Sequence, residues 1–195
     1  MDHQGAVEHI IEVMRKELPD TLRYHSIDHT LDVMTSAEKI GLAEGINEDE
    51  METLITAAAF HDCGFIRTYD NHEEVSCEIA AEILPDYGFA KNSIKVIQDM
   101  IMSTRVPQAS DTLLGRILCD ADLDYLGGED YERISKGLLN ELTLNGFDLS
   151  YMDWLDLQID FLENHKFWTD YAITSYSKQK AKILSRLKKE KSLLS

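Results

Sequence analysis

Apolar residues in this chain recur three and four positions apart rather than alternating, and only 3 prolines and 10 glycines interrupt them in 195 residues. The spacing predicts an all-α fold of eight or nine helices, at about 3–18, 27–44, 48–63, 72–84, 91–104, 111–126, 129–144, 150–165 and 168–189. Ser26, Asn71 and Ser150 sit where N-caps are wanted, with Glu74 three residues after Asn71 as in a capping box. Gly64, the Gly127-Gly128 pair and Asn145-Gly146 follow helices at the positions of left-handed C-caps.

The same periodicity asks which ionisable side chains fall on apolar stripes. In "METLITAAAFHDCG", Leu54, Ile55 and Ala58 make a stripe that His61 and Asp62 continue at i+7 and i+8 from Leu54. In "DTLLGRILCDADLDYLGG", Leu114, Leu118, Ala121 and Tyr125 define an inner face. Asp122 lies about 40° from Leu118 at ~100° per residue, whereas Asp120, at about 160°, is expected to face outward with Asp124 on the flank. His29 shares a stripe with Val33, Ala37 and Ile40. Three helices thus aim ionisable groups inward, and a buried carboxylate must meet a basic partner or a cation. Few basic residues share these faces. The economical solution is a divalent ion held by His29, His61, Asp62 and Asp122, a mixed imidazole and carboxylate set that suits Mn, Fe, Co, Ni or Zn better than Ca, with Mg a further candidate.

At these residues the sequence resembles the HD-domain superfamily of metal-dependent phosphohydrolases, whose pattern is H...HD...D on a helical bundle. "AAAFHDCGF" and "CDADLDYLG" match two of its segments, and the likeness runs over about residues 24–126. It implies the same four ligands that helical phase selects, a metal-binding core over that span, and a C-terminal helical layer over about 129–190, the whole chain forming one domain. "YHSIDHT" is similar to the Y-H-x-x-x-H segment of cyclic-nucleotide phosphodiesterases, which makes His29 a ligand and His25 the proton donor to the leaving group. His72 is then an electrophile in the site or a ligand of a weaker second ion, and Asp62 orients water as well as binding metal. Arg67 and Arg105 are candidates for gripping the phosphate. The further histidines of the two-metal branch of the superfamily are missing from "MIMSTRVPQ", so one tight metal site is expected, and the two-iron oxygenases among the relatives fit less well.

The resemblance implies hydrolysis of a phosphoester, in a nucleotide or related small metabolite. The alternative is a non-catalytic metal- or nucleotide-binding regulatory module, which would need the ligands but not His25. His165, amid Trp154, Phe161 and Trp168, reads as a core histidine.

Composition narrows the partners. A net charge of −17 excludes a polyanion as main partner, because nucleic-acid binding needs a basic face. Seven of the 19 Lys and Arg residues fall in the last 18 positions, where they complement the dipole of a final helix. No stretch reaches the ~18 apolar residues of a membrane span, and the first residues do not read as a signal peptide. Cys63, Cys77 and Cys119 are unpatterned and read as reduced, buried thiols. A cytoplasmic location, with no membrane partner, is the expectation.

Overall fold

A computed structural model describes residues 1–194, among which nine α-helices and three 3-10 helices occur and no strand does. The helices are α1 (His3–Glu17), α2 (Ile27–Glu44), α3 (Glu48–Phe60), α4 (His72–Ile83), α5 (Lys91–Ser103), α6 (Leu113–Asp122), α7 (Tyr131–Leu144), α8 (Tyr151–Asn164) and α9 (Asp170–Leu194). The 3-10 turns Cys63–Ile66, Leu84–Tyr87 and Asp124–Gly127 follow α3, α4 and α6. No described helix is long and apolar enough to cross a membrane.

Local chemistry sets the boundaries. The Ser26 hydroxyl accepts from the His29 N–H to open α2, and Gly45, at φ 74°, closes it. Asn47 with Glu50 and Ser150 with Asp153 form complete capping boxes ahead of α3 and α8. The box expected at Asn71 is absent. Asn71 takes a left-handed conformation (φ 54°) and makes no side-chain cap; its backbone carbonyl accepts from Glu74 and Val75 instead.

The glycines divide by cause. Gly146 has φ 91°, as a left-handed terminus requires, but Gly64, Gly127 and Gly128 are not at positive φ. Close approach explains two of them: a Cβ on Gly64 would lie 2.0 Å from the His72 carbonyl oxygen, and one on Gly127 2.5 Å from that of Tyr176.

Helix α3 is the centre of the first core. Leu54, Ala57, Ala58, Ala59 and Phe60 are fully buried, and the run of alanines lets α1, α2, α5 and α6 pack closely around it. A second apolar cluster joins Leu126, Tyr131, Leu155, Leu162, Phe167, Ile183 and Leu187 from the last 3-10 turn through α9. Asp120 links the two clusters, contrary to the outward position expected of it. It is fully buried and accepts from the Trp168 N–H (2.9 Å), the Thr169 N–H (2.8 Å) and the Thr169 hydroxyl (2.8 Å). The side of α6 that faces away from the first core faces the second. Cys63 and Cys119 are buried, whereas Cys77 is only half-buried; all three are free thiols.

Candidate metal centre

The centre forms where three helices bring their inner stripes together. His29 projects from the first turn of α2, His61 caps the C-terminus of α3 with Asp62 beside it, and Asp122 is the last residue of α6. His29 Nε2 lies 3.5 Å from Asp62 Oδ2 and 3.2 Å from Asp122 Oδ1; His61 Nε2 lies 3.3 Å and 3.6 Å from the same two oxygens. Donor atoms of His29, His61 and Asp122 all fall within 4.8 Å of one another.

The unpaired atoms at this point favour a cation. His29 Nε2, His61 Nε2 and Asp62 Oδ2 are buried and lack hydrogen-bond partners. His61 Nδ1 is 2.7 Å from the Ala58 carbonyl, which can only accept, so Nδ1 carries the proton and Nε2 presents a lone pair inward. Gln108 Nε2 donates to Asp122 Oδ2 (3.0 Å) and leaves Oδ1 facing the two imidazoles. Two imidazole nitrogens and two carboxylate oxygens converging at one buried point fit a divalent transition ion.

The electrostatics agree. Burial alone would raise both acids, but His61 outweighs it and holds Asp62 well below the usual carboxylate range, while His29 and His61 hold Asp122 at about 2. Burial would lower His61, yet Asp62 and Asp122 raise its affinity for protons well above normal. Each side of the cluster stabilises opposite charge on the other.

Two further histidines stand beside these four residues. His72, at the start of α4, places Nε2 3.3 Å from Asp62 Oδ1. The Phe65 ring stacks on His72 at 3.9 Å and on His25 at 4.3 Å, so both imidazoles are held by one buried phenyl. His25 Nδ1 lies 2.5 Å from Glu141 Oε1. Glu141, from α7, also accepts from the Tyr24 N–H (2.8 Å), the His25 N–H (3.0 Å) and the Tyr69 hydroxyl (3.2 Å). Its side chain is fully buried; burial favours its neutral form, but the His25 hydrogen bond and charge prevail and hold its pKa below normal.

Glu141 was not among the residues singled out from the sequence, and helical phase does not mark it: at ~100° per residue it lies about 80° around α7 from Tyr131 and about 120° from Ser135, the helix's other buried residues. The structure places Arg67 away from the four proposed ligands. Its guanidinium makes a two-pronged pair with Glu82 (2.7 and 3.2 Å) at the surface and is not gathered with the histidines. Arg105 is engaged by Glu74 at 3.0 Å and by Glu73 at 3.5 Å, and Glu73 in turn lies 3.7 Å from His72, so Arg105 reaches only the edge of the cluster.

The HD domain family model matches residues 26–124, just over half of the chain, and that span contains His29, His61, Asp62 and Asp122. The chain belongs to the HD-domain family. An uncharacterized protein of Clostridium beijerinckii is 36% identical to this chain over 84 residues, 42% of this chain and 53% of that one, so the match spans about half the relative's length. Two crystal structures share the fold. A predicted HD superfamily hydrolase from an uncultured Thermotogales bacterium has a TM-score of 0.63 at 24% identity, covering 96% of this chain and 92% of the other. A Lactobacillus plantarum protein has a TM-score of 0.73 at 16% identity, covering 100% and 99%. The shared fold therefore runs beyond the segment that the family model matches.

Proposed function

We propose that this HD domain is a metal-dependent phosphohydrolase acting on the phosphoester of a small metabolite. The observation that carries this reading is the convergence of three unpartnered buried donor atoms beside an imidazole whose other nitrogen is anchored by a buried glutamate. When bound by His29, His61, Asp62 and Asp122, a divalent ion supplies Lewis acidity at the phosphoryl group and lowers the pKa of water toward about 7.

The remaining work falls to side chains. A carboxylate can only accept, so Glu141 fixes the Nδ1 proton of His25 and stabilises the imidazolium, leaving Nε2 to deliver a proton to the departing alkoxide. The Phe65 stack and the Tyr24 edge, 4.6 Å from His25 between ring centres, restrict the imidazole to one plane. Asp62 Oδ1, facing His72, is placed to accept a proton from the attacking water and pass it to that imidazole.

The test compares the wild type with His25→Ala and Asp62→Ala, each supplemented with Mn or Zn, on bis-p-nitrophenyl phosphate and a panel of phosphomonoesters and nucleotides. Turnover should vanish in both variants, while elemental analysis should find metal lost only from Asp62→Ala. A fully metal-loaded wild type with no turnover on any of these esters would instead identify a regulatory module.

A further inference from the structure

Two cavities open onto the metal centre, and their chemistry is opposite. The larger, about 500 Å³, reaches His29, Asp122 and Tyr24 through a polar mouth that carries Asp28, Asp32, Asp124, Glu129 and Asp130 against Arg23 and Arg133. Its excess of acids repels an anion. The smaller, about 310 Å³, has Tyr24, His25, His72 and Asp122 on its wall and is otherwise closed mainly by Leu126, Leu138, Leu142, Trp154, Phe161 and Leu162. None of the described residues lining it is Lys or Arg, and its acids are Glu73 and Asp122 at the metal end.

We propose that this smaller cavity receives the uncharged, largely apolar alcohol portion of the substrate, whose single phosphoryl group sits at the metal centre; the proposal rests on the phosphohydrolase reading above. The proton donor lies on its wall, so an ester oriented this way places its bridging oxygen toward His25. Water adds to phosphorus, the bond from phosphorus to the alcohol oxygen breaks, and the alcohol leaves with the proton from His25 into an apolar space.

Two observations separate this ligand from a nucleoside polyphosphate or a polar sugar. A second or third phosphate in this cavity would be desolvated with no cation to meet it, which is among the costliest burials available. The polar groups of the lining are also engaged with protein partners. The Tyr131 hydroxyl donates to Gln158 Oε1 (2.9 Å), Gln158 Nε2 donates to the Trp154 carbonyl (3.4 Å), and the Ser135 hydroxyl donates to the Glu132 carbonyl (3.3 Å). What remains to be covered is apolar and aromatic surface, the usual lining of a site for an organic body.

Trp154 is 4% exposed and lines the cavity, and the chain has 2 tryptophans, so a Trp168→Phe background isolates it as a reporter. In the zinc-loaded protein, cyclohexylmethylphosphonate should shift Trp154 emission and bind at least about tenfold tighter than methylphosphonate of equal charge. With manganese and phosphate release as readout, cyclohexylmethyl phosphate should exceed glycerol phosphate, AMP and ATP in kcat/KM. Leu142→Lys should raise its KM about tenfold with kcat within about twofold; Leu138→Gln provides a milder second variant at the same wall. Equal binding of the two phosphonates, or ATP or AMP hydrolysed as efficiently as the cyclohexyl ester, overturns the cavity assignment and leaves the hydrolase reading standing. Tight, Trp154-reported binding of the cyclohexyl phosphonate with no hydrolysis of any ester supports the cavity and overturns the hydrolase reading.

Discussion

His61 and His165 are both histidines at ends of helices, and their surroundings give them opposite chemistry. His61 has its Nδ1 committed to the Ala58 carbonyl and faces two carboxylates, so it gathers positive charge. His165 has both ring nitrogens buried without partners, stacks on Phe161 and meets Phe167 edge to face, and is pushed down to about 4 by burial and then by the Lys180 charge. It is the core histidine that its aromatic surroundings predicted. The lowered value has a consequence for stability. An unfolded chain takes up this proton near pH 6.5, the folded one only near pH 4, so between those limits the unfolded state binds more protons and stability falls as pH falls. His165→Phe removes that loss. In metal-free protein the melting temperature of the wild type should drop more steeply from pH 7 to pH 5 than that of His165→Phe; parallel profiles would show that the imidazole is solvated and titrates normally.

Elements carry the site as much as ligands do. Gly64 lets the turn Cys63–Ile66 press against the start of α4, where its N–H donates to the Ser76 hydroxyl at 2.8 Å. A Cβ there would meet the backbone of His72 and Ser76 rather than a flexible side chain. Gly64→Ala should therefore destabilise by about 3 kcal/mol or more in denaturant unfolding, by forcing α4 away. Helix α7 is tied in by Glu141, whose two oxygens accept four hydrogen bonds from Tyr24, His25 and Tyr69. Glu141→Gln keeps the shape but turns an amide donor toward donors; it should cost about 2–3 kcal/mol and lower kcat far more than it lowers metal content. Phase along α2, α3 and α6 made His29, His61, Asp62 and Asp122 legible in sequence because they continue the stripes that these helices pack on the first core. Phase misplaces Asp120, since α6 is buried on two sides, and says nothing of Glu141, whose partners Tyr24, His25 and Tyr69 are all distant along the chain. Asn71 looked like a cap because its type fits one, but the left-handed backbone decides otherwise.

At the scale of the whole molecule, charge and chain topology meet at the metal. The net charge is −17, and the basic C-terminal helix does not act as a free cationic surface: Arg186 pairs with Glu132, Lys188 with Glu163 and Lys191 with Asp156 on α7 and α8. Those pairs, with buried Ile183 and Leu187, fasten α9 over the second cluster, and Asp120 fastens its entrance to α6 two residues before Asp122. The metal donors come from positions 29, 61, 62 and 122, so an ion joining them crosslinks α2, α3 and α6 through the first core. Without it, Asp62 and Asp122 raise the proton affinity of His61 well above normal, and a proton on that imidazole stands in for the ion. An ion at 100 times its dissociation constant should add about 2.7 kcal/mol to unfolding, which for a domain of this size raises the melting temperature by about 5–10 °C. EDTA treatment should lower the transition by that amount at pH 7.5, and Mn or Zn should restore it where Ca does not. Identical transitions with and without chelator would mean that the histidines and carboxylates satisfy one another and that no ion ties these helices together.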